Sequence, residues 1–153
     1  MSISRMLIVG FIALLMQSAL AQLGVPGALL PQLMLLVVVG AAFSGSSVRG
    51  VVSAFILGLL LDFSSALLVG PWAGAFVTVY AGLALVSQRL FLESGIVSAV
   101  VAFIAALVAS TFFALLSPQS DLASWHHIVQ ILAQASVTAV CAPWFIALVA
   151  RVG

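Results

Sequence analysis

Charge is almost missing from this chain. Its 153 residues include three acids and four basic residues; all four are arginine, and the formal net charge is +1. A net charge so near zero gives no reason to expect nucleic acid as a partner. Cysteine is nearly absent too. Cys141 stands alone, so no intramolecular disulfide can form and the redox compartment cannot be read. The two histidines, His126 and His127, are adjacent. On a helix they point about 100° apart, and without a third ligand they make a poor metal site. No glycine-rich loop leads into a lysine, no serine–histidine–aspartate set shares a locus, and no second carboxylate lies inside an apolar run. These absences predict a protein that is not an enzyme and needs no cofactor.

What fills the sequence is apolar. Hydrophobic residues make up 65% of the chain and charged ones 5%, the composition of an integral membrane protein. A spanning helix takes about 20 residues. Apolar stretches at 6–23, 29–44, 50–69, 72–88, 95–116 and 127–150 predict six helices. Turn-rich or charged links separate them, among them Gly24-Val-Pro-Gly27, Gly70-Pro71 and Ser117-Pro-Gln-Ser-Asp121. The expected fold is all-α: a single polytopic transmembrane domain over 1–153, with membrane lipid as its solvent. The second helix is the shortest and has Pro31 near its start. Threading the chain through six spans puts Arg5, Arg49, Arg89 and Arg151 on one side, and the opposite loops carry no Arg or Lys. By the positive-inside rule that side is the cytoplasm, so both termini are cytoplasmic. Trp72 and Trp125 fall at the other edge, where interfacial tryptophans are common. Arg5, the apolar run Met6–Met16 and Ala19-Leu20-Ala21 also fit a signal peptide cleaved before Gln22. That would remove residues 1–21 and leave five spans without moving any later loop.

Helices in lipid gain nothing hydrophobic by associating, so small residues that allow close packing must hold them together. The third helix has Gly50, Ala54, Gly58, Asp62, Ala66 and Gly70 at four-residue spacing; the fifth has Ser98, Ala102, Ala106, Ser110 and Ala114; the fourth has Gly74, Thr78 and Gly82. Such ridges predict internal packing, or a groove for a partner's helix or a second copy of the chain. Pro143 in the sixth helix reads as a kink.

Asp62 is the anomaly. An aspartate central to a spanning helix costs roughly 2.5–3.5 kcal/mol to insert. No Arg or Lys lies at its depth, which argues against an ion pair. Hydrogen bonding to Ser64, Ser65 or a polar residue of another helix, or a small water pocket, could receive it. Gln130, Gln134 and Thr138 form a polar stripe on the sixth helix and are candidates to meet it. A proton relay is the weaker reading, because relays use chains of titratable groups.

The segment Gly58-Leu-Leu-Leu-Asp62-Phe-Ser-Ser65-Ala-Leu-Leu-Val-Gly70 resembles the hallmark segment of the rod shape-determining MreD family, Gly-Leu-(apolar)2-Asp-(x)2-Ser-Gly-(x)3-Gly. Gly58, Leu59, Asp62, Ser65 and Gly70 match. Ala66 replaces the usual glycine, and Pro71-Trp72-Ala73 departs from the usual Leu-His/Asn-Ala. The chain's size, the proline at the entry to the second helix and Arg89 after the fourth are also similar to the family. The resemblance implies a bacterial inner-membrane component of the cell-elongation complex. Its partners would be the membrane helix of MreC, RodA and its transpeptidase, and indirectly the MreB filament, all serving lateral peptidoglycan synthesis. It implies structural or interaction roles for Gly58, Asp62, Ser65, Ala66 and Gly70, and a fold similar to the substrate-binding components of energy-coupling-factor transporters. The alternative function is a small-solute binding component of a transporter, which needs a pocket with convergent polar groups in the outer half.

Overall fold

A computed structural model describes residues 3–43, 48–65, 70–86, 95–116 and 125–152, without the side chains of Ser65, Ala150 and Val152. The described residues form six α-helices and no strand: α1 Ile3–Gln22, α2 Leu33–Phe43, α3 Val48–Ser65, α4 Pro71–Val86, α5 Gly95–Leu116 and α6 Trp125–Val152. A short 3-10 turn, Gly27–Leu29, precedes α2. The expected helices are all present, and α5 has the expected bounds. The largest difference is α2, which starts at Leu33 rather than 29. Pro31 disfavours helix at the residue before it and brings no N–H of its own, so the chain turns and then runs extended through Leu30 before the helix begins.

α2 is the hub. Every residue from Leu33 to Ala42 is buried, and Met34 through Val39 expose no surface at all. A helix apolar on all sides belongs inside a bundle, and α2 packs against every other helix. The most extensive pairings at the periphery are α3 with α4 and α5 with α6. Helix directions follow from close approaches. Gly50 lies against Tyr80 and Gly58 against Ala73, so α3 and α4 are antiparallel; Gly74 lies against Phe112 and Gly95 near Pro143, which makes α4–α5 and α5–α6 antiparallel too. Gly40 lies against Val149, and Gln32 bonds to Thr138, so α2 runs parallel to α6. Gly10 lies against Leu57 and Gln17 shares a cavity with Leu61, so α1 runs parallel to α3. Arg5 and Arg49, at helix starts, and Arg151, at a helix end, thereby share one end of the bundle and are exposed. Arg89 lies outside the described residues.

The outer surface is apolar. Ile8, Phe11, Ile12, Leu15 and Met16 project outward from α1, as do Val100, Ile104 and Val108 from α5 and Val140 and Trp144 from α6. Three helices are long and apolar enough to cross a bilayer: α1, α5 and residues 125–149 of α6. α4 is apolar but shorter, as is α2 together with the turn before it. Hydroxyls on the outer faces satisfy themselves locally. Ser64, Thr78, Thr111 and Ser136 each donate to the carbonyl four residues back, at 2.7–2.8 Å.

The small-residue ridges divide by use. On α5, Ser98, Ala102, Ala106, Ser110 and Ala114 are all buried, and on α3 Ala54, Gly58 and Asp62 are buried. On α4, Gly74 accepts Phe112, but Thr78 and Gly82 are exposed. They line an apolar groove with Val79, Leu83, Val101 and Ile104. α6 continues as helix through Pro143.

Candidate functional site

Two clusters of buried polar groups occupy the end of the bundle opposite the arginines. The first is built on Asp62, which is 1% exposed. Its Oδ2 accepts the backbone N–H of Gly70 at 2.9 Å and of Ala73 at 3.2 Å, and its Oδ1 accepts that of Trp72 at 3.0 Å. These three residues are the cap and the second and third positions of α4. The residue between them, Pro71, has no N–H to satisfy. One carboxyl thus takes every orphan donor in the first turn of a helix, from a position eight residues before its cap. The helix dipole favours negative charge at the same place.

Two glycines make the approach possible. Gly58 sits one turn before Asp62, and a Cβ there would lie 2.7 Å from both Ala73 N and Trp72 O. Backbone therefore packs on backbone, which brings α4's first turn within reach of a short side chain. Gly70 has φ +125°, a conformation L side chains rarely adopt. Its carbonyl accepts Gly74 N–H at 2.9 Å and closes the first helical turn. Gly58, Asp62 and Gly70, singled out by the sequence, therefore form one helix corner. Ala66 lies outside the described residues, as does the Ser65 side chain. Two expectations are corrected. Ser64 gives its hydroxyl to Leu60 O, not to Asp62. Gln134 and Thr138 serve a different segment of the chain.

That segment is 30–32, non-helical backbone that leads from half-buried Leu30 and Pro31 to buried Gln32. In a membrane such backbone must be satisfied by protein. Gln32 N–H donates to Thr138 Oγ1 at 3.1 Å, and Gln134 Nε2 donates to Leu30 O at 3.4 Å. Thr138 in turn donates to Gln134 O at 2.8 Å. Gln130, the outer member of the stripe, lies near Gly27. The stripe on α6 is the template on which the irregular entry to α2 is laid.

The second cluster forms around this entry. Gln32 is 4% exposed; its Nε2 donates to Ser110 Oγ at 3.2 Å, while its Oε1 is buried and has no hydrogen-bond partner among the described residues. Gln17 of α1 also has a buried Oε1 without a partner among the described residues. Gln17, Gln32 and Gln134 line one partly open cavity of about 190 Å³, together with Met34, Leu35, Leu61, Trp72 and Phe76. Sequence reasoning placed Trp72 at a membrane edge. Its ring is half-buried, stacked on Phe113 at 4.7 Å and edge-on to Phe76 at 6.0 Å. Gln17 and Gln32 were not singled out as site residues; a glutamine beside Pro31, where a span should begin, was the available signal.

No group of three or more metal-binding side chains occurs among the described residues. His126 is exposed and His127 half-buried at the start of α6. Asp121 lies outside the described residues. No family model matches the chain, and no curated protein or solved structure is significantly similar to it.

Proposed function

We infer that this chain is a six-span protein of the bacterial inner membrane with both termini cytoplasmic, and that it serves as a non-enzymatic scaffold in the cell-elongation machinery. Its segment 58–70 resembles that of the MreD family, and the reading carries over that family's partners: the membrane helix of MreC first, then RodA with its transpeptidase, and MreB indirectly. The observation that carries it is the helix corner. Three residues of the resembling segment, Gly58, Asp62 and Gly70, act on one α3–α4 junction. A signature that builds a joint between helices, with its acidic group fully engaged by backbone, suits a protein whose product is a shape. Arginines at one end of the bundle support the orientation, and the outward apolar faces support the multi-pass reading.

The experiment is co-purification with depletion. Tagged chain should retain MreC in mild detergent, and depletion should turn rods into spheres. If MreC is not retained and depleted cells stay rod-shaped, the reading fails. Cross-linkers at Gly58 and Asp62 should capture α4 of the same chain rather than a partner, since both positions are buried against it.

A further inference from the structure

We propose that the arginine end of α6 is a binding site for an anionic phospholipid of the cytoplasmic leaflet, with Arg151 and Trp144 holding its phosphate and Leu148 packing on an acyl chain. The proposal rests on the multi-pass reading above and adds to it a lipid class and a place. Three features carry it. The first is register. Trp125 and Trp144 are the two strongly exposed tryptophans, at 73% and 84%. They stand nineteen residues apart on one helix, about 28 Å at 1.5 Å per residue. That spacing matches the roughly 30 Å hydrocarbon thickness of a bilayer, and tryptophans favour its two boundaries. Trp144 then lies at the inner boundary, with Arg151 about 10 Å farther along the helix, at the level of the headgroups.

The second is a shared recess. Pro143, Trp144, Ala147, Leu148 and Arg151 line one open recess of about 420 Å³ on α6. Trp144 and Arg151 are two helical turns apart, so they lie one above the other on the same face, and the small Ala147 leaves room between them. Cβ bonds on a helix tilt toward its N-terminus. Arg151 therefore leans back toward Trp144, away from the helix-end carbonyls, whose partial negative charge would repel an anion. The third is polarity. Arg151 is the one charged side chain of the recess, and apart from the indole N–H the rest of the lining is apolar. Asp62, the one acidic side chain among the described residues, is at the other end of the bundle and engaged by the α4 backbone. A recess with a cation at its headgroup end and apolar surface toward the membrane interior is complementary to an anionic amphiphile. The guanidinium offers paired N–H donors to phosphate oxygens, and the indole N–H offers one more. A zwitterionic lipid would bring its own cation beside the guanidinium, and a free phosphate would leave the apolar part of the recess unused.

The test is native mass spectrometry of the full chain in an uncharged detergent, titrated with phosphatidylglycerol or with phosphatidylcholine of the same acyl chains. Phosphatidylglycerol should be retained about tenfold more tightly. Arg151→Gln should abolish that preference, and Arg151→Lys should restore part of it, as a point charge without the paired donors. Trp144→Phe keeps a ring and loses the N–H, and should weaken the preference about threefold. Arg49→Gln removes the same charge from the same end of the bundle and should change it by less than about twofold, since general attraction of an anion to that end is not the mechanism. All three positions are exposed, so the variants should fold. Equal retention of the two lipids, a preference that survives Arg151→Gln, or equal losses in the Arg49 and Arg151 variants would overturn the proposal while leaving the membrane reading in place. Release of the chain from cell membranes by alkaline carbonate would overturn both.

Discussion

The Asp62 corner and the glutamine cavity are neighbours and share Trp72, whose backbone N–H belongs to one and whose ring belongs to the other. They differ in how far their hydrogen bonding is completed. At the corner a single carboxyl meets all three available donors of α4's first turn, and the glycine beneath it leaves no space. Beside the cavity, two amide oxygens are buried with no donor to accept from among the described residues. The contrast separates two uses of buried polarity. A complete network defines geometry and has no capacity left over. An incomplete one keeps a local cost. The residue that looked most anomalous in the sequence is therefore the more completely partnered, and the less conspicuous glutamines carry the residual cost.

Substitutions should separate the two regions by sign as well as size. The largest effect belongs to Asp62→Leu, which strands the buried N–H of Ala73 and the partly buried N–H groups of Gly70 and Trp72 and removes the cap. It should destabilise the folded chain by about 3 kcal/mol or more in equilibrium unfolding from detergent micelles. Asp62→Asn should fall between, since it retains one acceptor oxygen but turns an NH2 toward backbone donors; equal losses for Asn and Leu would mean that charge, not acceptor count, holds the joint. Gly58→Ala comes next. Its methyl meets the backbone of Trp72 and Ala73, so α4 must move, at a cost of about 2 kcal/mol, and cross-linking between α3 and α4 should change register.

Thr138→Val should cost about 1 kcal/mol by stranding Gln32 N–H, within the range measured for hydrogen bonds between membrane helices. At the other end of the scale Gln17→Leu should stabilise by up to about 1 kcal/mol. If it destabilises as Thr138→Val does, the cavity is architecture like the corner, and the distinction between the regions collapses.

Much of this arrangement was legible in the sequence. Six apolar runs gave six helices, because length and hydropathy are properties of each segment alone. The four-residue ridges on the third and fifth helices pointed to buried faces, and did so correctly. On the fourth helix the same spacing lines an open groove, since small residues permit close packing without requiring it. Asp62 was legible as a group in need of partners, but not which ones. The decisive donors were backbone N–H groups, which every residue but proline carries and which therefore leave no compositional trace. Gly70-Pro71 was the one hint, because proline at a first helical position marks a helix start whose remaining donors need an acceptor. The polar stripe on α6 was visible, but its target was not. Its partner is the irregular backbone before α2, created by Pro31, and only the fold brings the two together across 106 residues of sequence.

That separation has a consequence for biogenesis. The entry to α2 depends on Thr138 and Gln134, and Thr138 is synthesised 106 residues after Gln32. At 5–20 residues per second, the delay is on the order of 5–20 s. In the proposed multi-pass arrangement, Gln32 and the carbonyl of Leu30 would meet the membrane without their permanent partners throughout it, and α2, about 16 Å long at 1.5 Å per residue, is too short to cross a bilayer alone. The nascent chain must be sheltered during that interval by the insertion machinery or by α1. α6 then acts as a latch on the entry to α2, and truncation before Gln134 should yield a chain cleared by proteases rather than a smaller working protein.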